Sequence, residues 1–188
     1  MTAVKRVLGI DPGSRVAGYG VVEENGGRLS AVGYGVVRPP ETKDPNLKLK
    51  YIFEAFSEII AQYNPDEAAV ETVFFAANAR SALVLGQARG AALLSALMAG
   101  VTVYEYSALQ VKKALTGGGR AEKSQVADMT RRILGLKAAP KPEDVTDALA
   151  AAICHVHSAP MRSRLEAASG LAGDGARAAA GAKNAAGK

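Results

Sequence analysis

The sequence predicts an α/β fold, a mixed five-stranded sheet flanked by helices. Three features of its pattern say so. Three short β-rich runs at the start are separated by turn signals, helical and strand-like runs then alternate, and the last periodic stretch is a long helix. Antiparallel neighbours join through tight turns, whereas parallel ones need a crossover, so this order gives a meander followed by crossover units.

Each element carries its own signal. Val4 to Ile10 is a short apolar run closed by Asp11-Pro12-Gly13-Ser14, which reads as a buried strand ending in a turn. Val16 to Glu23 and Leu29 to Val37 follow, split by Asn25-Gly26-Gly27, a strong hairpin signal. Asp44-Pro45 opens a helix, with an acid at the N-cap and proline at the first helical position. Leu49, Ile52, Phe53, Phe56, Ile59, Ile60 and Tyr63 keep the helical period and bury one face, and Asn64-Pro65 ends it. Glu67 to Thr72 is a short strand. Asn78 caps a second helix running to Gly100, whose alanines and glycines suit close packing against the sheet or a second subunit. Val101 to Tyr106 is the fifth strand. Ser107-Ala108-Leu109-Gln110 is a capping box, Gly117-Gly118-Gly119 a break, and Ala121 to Leu134 a further helix stopped by Gly135. Pro140 and Pro142 open the last helix, expected to reach about His157.

The 188 residues, 48% hydrophobic and 22% charged, suit one globular domain, placed at residues 1–158. Alanine and glycine supply more than half of residues 159–188, which read as a basic, disordered tail. The single Cys154 excludes an internal disulfide framework and a multi-cysteine zinc site. The first residues lack the apolar stretch of a signal peptide, and no window approaches ~18 uninterrupted apolar residues, so a cytoplasmic protein without a membrane span is expected. A net charge of +5 favours a polyanionic partner. Part of it lies in the tail, where Arg162, Arg164, Arg177, Lys183 and Lys188 face only Glu166 and Asp174.

Four acids stand out by position. Asp11 ends the first strand and Glu71 the fourth, while Asp144 and Asp147 lie one turn apart near the start of the last helix and share a face. An acid at the end of a buried strand is costly unless something compensates it, and a divalent cation does so. Magnesium takes a few carboxylates, waters and phosphate oxygens, and two such ions can activate water against a phosphodiester. Taken singly, Asp11 is also a turn former, Glu71 a loop cap, and Glu143 and Asp144 a complement to the helix dipole. Asp147 resists that reading because Ala148 to Ile153 after it is wholly apolar.

The strings GIDPGSRVAGYGVV, AVETVFFAANARSALVLGQARGA, QVKKAL, AEKSQV and DVTDALAAAICH, in this order between Arg6 and His157, resemble the RuvC family of bacterial Holliday-junction resolvases. The resemblance implies a ribonuclease H-like fold and a homodimer that cuts four-way DNA junctions at paired sites. It implies magnesium as cofactor, manganese as substitute, two ions per site, and 5′-phosphate and 3′-hydroxyl ends. The family's four acids fall on Asp11, Glu71, Asp144 and Asp147. The family's three-residue spacing selects Asp144, although Glu143 also precedes Asp147 by one turn, and some members carry histidine at the position of Asp144. Phe74 falls on the residue that disturbs base pairing at the crossover, and Lys112 and Lys123 on lysines near the bound phosphate backbone. The family's partner is a branch-migration motor of RuvA and RuvB.

Other groups read more blandly. Phe74 also suits a core aromatic; in a loop it would stack on an unpaired base. Lys113, Arg120, Arg131 and Arg132 add positive charge, the last three reading as solvated, and Arg80 and Arg89 flank the second helix within reach of DNA. His155 and His157 point different ways on a helix and make no metal pair. Ser81 and Ser107 lack a histidine–acid context, so no triad is supported. The rival readings are another ribonuclease H-like nuclease, a DNA-binding module with structural acids, and an actin-like ATPase domain sharing the strand-turn-strand phosphate loop. The absence of a repeat and of a Walker motif weighs against the last.

Overall fold

The structure, a computed structural model, describes residues 4–72 and 78–169. Two compact units divide the chain, Met1–Val156 and His157–Lys188. The elements follow in the order β1 (Lys5–Asp11), β2 (Ala17–Asn25), β3 (Arg28–Val37), α1 (Pro45–Tyr63), β4 (Glu67–Glu71), α2 (Ala79–Met98), β5 (Thr102–Tyr106), α3 (Ala108–Thr116), α4 (Lys123–Ile133) and α5 (Glu143–Ser169). The five strands form one sheet in the order β3-β2-β1-β4-β5.

The turn chemistry explains the topology. Gly26 and Gly27 sit at φ 60° and 86°, the pair of positive angles that lets a two-residue turn follow the right-handed twist of its strands, and β2 and β3 pair antiparallel around it. β1 pairs antiparallel with β2 and parallel with β4, and β4 runs parallel with β5. The Asp44 carboxylate accepts from the Asn46 amide at 2.8 Å to start α1, and Asn64 in the left-handed region ends it. The Ser107–Gln110 capping box opens α3.

Helices cover both faces of the sheet, so the central strands are apolar throughout rather than alternating. On one face, Val7, Val22 and Ala69 pack with Val145, Leu149 and Ile153 of α5. On the other, Leu8, Ile10, Val21, Ala68 and Val70 pack with Ile52, Phe56 and Ile60 of α1 and with Ala88, Ala92 and Ala96 of α2. The remaining face of α2 is bare. Leu83, Val84, Leu94, Leu97 and Met98 are exposed, Met98 to 73%, and Gly86 and Gly90 lie among them.

α5 seats unusually close to the sheet because glycines make room for it. A Cβ on Gly9 would lie 1.8 Å from the carbonyl oxygen of Ala148, and one on Gly18 2.0 Å from that of Asp144. One sequence expectation needs correction here. The last helix passes His157 and continues through Pro160 to Ser169, since Met161, Arg162, Leu165, Glu166, Ala167 and Ala168 are good helix formers and outweigh one proline. Among the described residues α2 is long and apolar enough to cross a membrane by length and composition alone, which a helix of a soluble protein also satisfies, and it contains no uninterrupted apolar window of that length. The tail expectation for 170–188 lies outside the described residues.

Gly9→Ala drives a methyl into helix backbone rather than into a yielding side chain. A loss of about 1–3 kcal/mol is expected, read as a lowered midpoint in thermal unfolding.

Candidate active site

Asp11 and Glu71 are the last residues of two adjacent parallel strands, and the Ile10–Val70 register brings their ends level. Val7 and Ala69 of the same strands face α5, so the two-residue alternation turns Asp11 and Glu71 toward that helix as well. Gly18 of β2 is the register partner of Asp11, and it is against Gly18 that the backbone of Asp144 rests. The closeness of α5 to the sheet therefore delivers its first turn, with Asp144 and Asp147, to the ends of β1 and β4. All four carboxylates are half-buried.

Their proximity is written in their electrostatics. The Asp11 carboxyl is pushed up from 3.8 to about 7, first by burial and then by the charges of Asp147, Asp144 and Glu71, with Lys123 acting the other way. Burial also raises Glu71, helped by Asp147 and opposed by Lys123 and Lys112. Asp147 is raised by burial, opposed by Lys123, and raised further by Glu143 and Asp144. Lys123 is the cation within this cluster: its Nζ stands 3.7 Å from Asp147 Oδ2 and 3.4 Å from Glu143 Oε2, and Asp147 is the main cause of its raised pKa.

Hard carboxylate oxygens crowded with under-compensated charge fit a divalent cation of the magnesium type. Among the described residues, no three His, Cys, Asp or Glu side chains are drawn together tightly enough to enclose an ion. The donors act on one another through space but leave the site open, which suits a cation that keeps waters and substrate oxygens in its shell.

The other sequence candidates divide. Lys112, half-buried on α3, acts on Glu71. Phe74 falls in 73–77, outside the described residues. The Glu143 side chain is 80% exposed and held by Lys123 rather than turned inward with Asp147. Arg131 and Arg132 both grip Asp128, at 2.8 and 2.6 Å, as solvated helix pairs do. The reading of Arg89 as a DNA-reaching group is corrected: its guanidinium is largely buried against β5, with Nη2 2.9 Å from Glu105, and neither that nitrogen nor Nε makes an aligned hydrogen bond.

One buried network escaped the sequence reading. His155 of α5 is fully buried; its Nε2 bonds the Glu67 carboxylate and its Nδ1 stands 2.8 Å from the Tyr106 hydroxyl. Lys5 Nζ reaches the same Glu67 oxygen at 2.6 Å. Burial alone would raise Glu67, but the hydrogen bonds from His155 and Lys5 and their charges hold it down at about 2. The only hint in the sequence is a charged residue at the foot of each apolar strand, which also describes ordinary solvated strand ends.

Residues 7–155 match the sequence profile of a family described as crossover junction endodeoxyribonuclease RuvC. The chain is 52% identical over 160 residues to crossover junction endodeoxyribonuclease RuvC of Geobacter sp. (strain M21), covering 85% of this chain and 97% of that protein. It is similar to the structure of Thermus thermophilus RuvC, with a TM-score of 0.76 and 40% identity over 83% of this chain and 96% of that one. It is equally similar to Thermus thermophilus RuvC in complex with Holliday junction substrate, with a TM-score of 0.76, 38% identity and the same coverage.

Because Asp11 ionises near pH 7 in the folded chain and near 3.8 when free, the folded state binds the proton more tightly, and stability falls as pH rises between these values. Asn in its place removes that penalty. In a chelator at pH 8, Asp11→Asn is expected to melt a few degrees above the parent, and at pH 3.5 to melt with it. Equal melting at pH 8 would show that the Asp11 charge is not strained.

Proposed function

The chain belongs to the RuvC family of crossover junction endodeoxyribonucleases, and from that premise we propose that Asp11, Glu71, Asp144 and Asp147 form its catalytic metal site. The protein is a metal-dependent nuclease that resolves Holliday junctions in DNA recombination and repair. The observation that carries the site assignment is the electrostatic coupling of those carboxylates at the C-terminal ends of β1 and β4.

Bound there, magnesium, with manganese as its substitute and two ions per site, would supply Lewis-acid chemistry that activates water and neutralises charge developing on the phosphate. Asp11, Glu71, Asp144 and Asp147 would hold the cation, with Asp147 the carboxylate whose charge acts most on both Asp11 and Glu71. Asp11 must first release the proton that it holds up to about pH 7, so the site loads more readily as pH rises through neutrality. Lys123 balances Asp147 in the free protein. With a cation bound there, Lys123 would be free to meet a backbone phosphate, together with Lys112 of α3. Phe74 follows Glu71 in the chain and stacks on a base unpaired at the crossover. Hydrolysis leaves 5′-phosphate and 3′-hydroxyl ends.

The nuclease occupies residues 1–158, and 159–188 form a basic appendage; the compact unit ending at Val156 and the family match ending at residue 155 support that division. The protein acts as a homodimer, matching the near two-fold symmetry of a junction. The bare face of α2 is the surface suited to the second copy: it is continuous and apolar, while Gly86 and Gly90 permit close helix approach. Arg80 and the ion-paired Arg89 within the helix favour that occupant over lipid. Cytoplasmic residence and cooperation with a RuvA–RuvB branch-migration motor follow from kinship with bacterial members.

The test is a synthetic immobile four-way junction incubated with and without magnesium and resolved on a denaturing gel. Paired symmetric cuts are expected only with the metal. Asp147→Asn should lower the cutting rate about 100- to 10,000-fold while still retarding the junction on a native gel, since lysines supply the phosphate contacts. Cutting at the parental rate by that variant would remove Asp147 from the site.

A further inference from the structure

Lys5 and Glu67 bond at the opposite end of β4 from Glu71, where His155 joins them, and Tyr106, the register partner of Glu71, reaches His155 through its hydroxyl. α5 descends the sheet against the direction of β1: Asp144 rests on Gly18, Ala148 and Ala152 on Gly9, and His155 reaches Glu67 and Lys5 at the foot of the strands. Glu67, Ala69 and Glu71 alternate along one face of β4, four residues from first to last. At ~3.3 Å per strand residue this is a span of about 13 Å. From Asp147 to His155 is eight helical residues, which at ~1.5 Å each span about 12 Å. The two lengths match. When His155 stands at Glu67, Asp147 stands at Glu71.

We infer that His155 is a positioning residue whose bond to Glu67 fixes how far α5 slides along β4, and so sets the separation of Asp147 from Glu71. The seam needs such a stop. Where α5 crosses β1 and β2 it lays backbone on glycine, the Ala148 carbonyl with Ala152 on Gly9 and the Asp144 carbonyl on Gly18, and glycine offers no side chain there to key the register. A directional bond between buried polar groups specifies one register. Tyr106 braces the other ring nitrogen from β5, and Lys5 holds the Glu67 carboxylate from β1, so three parallel strands and the helix meet at this imidazole. The rings of Tyr104 and Tyr106, with centroids 4.7 and 5.7 Å from that of His155, fix its plane. Tyr106 also accepts, through its backbone carbonyl, the amide of Thr72 beside Glu71, which ties the network to the far end of β4.

This inference rests on the assignment of Glu71 and Asp147 to the metal site, and the experiment separates the two. His155→Phe, His155→Gln, Glu67→Gln, Glu71→Gln and Ile153→Val are made in the full chain. Each is measured for thermal unfolding, for single-turnover cutting of a synthetic junction at saturating protein, and for binding of manganese alone to DNA-free protein by loss of the free-ion EPR signal. Ile153→Val only trims the core of the same helix and is expected to keep the parental cutting rate and manganese affinity. His155→Phe is expected to lose about 10- to 100-fold in both, as do changes to groups that orient metal ligands. His155→Gln, whose amide nitrogen replaces Nε2, is expected to recover most of that loss. If His155→Phe does not fold, Glu67→Gln is expected to carry the same two deficits. Parental rate and manganese affinity in folded His155→Phe, or in Glu67→Gln where it stands in, would overturn the inference. Parental values in Glu71→Gln would instead overturn the site assignment and this inference with it.

Discussion

Gathering negative charge at the strand ends of a hydrophobic sheet opposes folding, and much of the surrounding architecture works to hold that charge where it is. Asp11 retaining its proton to about pH 7 is the clearest sign of the tension. A protein selected for stability alone would place amides or apolar groups at these positions. The chain keeps the acids and balances them in part with Lys123, a counter-ion that a divalent cation can replace.

The backbone does the rest of the holding. Parallel pairing sets the ends of β1 and β4 level, so two acids far apart in sequence become neighbours without any contact of their own. The glycines of β1 and β2 lower α5 onto the sheet until helix carbonyls replace the space of missing side chains. That closeness brings a seam of helix backbone on glycine to bear on a site requiring sub-ångström placement, and the His155 network farther along α5 adds a directional contact to it. Core, seam and site are thus parts of one construction, and the enzyme's chemistry depends on a helix position set more than two turns away.

Much of this was legible in the sequence because it is local. Asn25-Gly26-Gly27, Asp44-Pro45, Asn78 and Ser107–Gln110 each encode a turn or cap through one or two residues, and each element formed where its signal stood. The acids were legible because a carboxylate ending an apolar strand is conspicuous. Two kinds of feature were not. The passage of α5 through Pro160 reflects summed helix propensity winning over one strong breaker, a balance of similar terms. The His155 network joins residues 5, 67, 106 and 155, and neither the composition nor the spacing of any one segment records that they meet. Arg89 misled for the same reason: an arginine on an exposed helix looks free to reach DNA until the partner strand, with Glu105, is placed beside it.

The central claim is that the four carboxylates share a divalent cation. The most direct measurement is anomalous diffraction from crystals soaked in manganese, because that scatterer reports its own position regardless of activity. The expected result is a peak within coordination distance of Asp11 and Asp147, with Glu71 and Asp144 turned toward it and Lys123 displaced from Asp147. A peak elsewhere, with those carboxylates bare and Lys123 still paired to Asp147, would contradict the account.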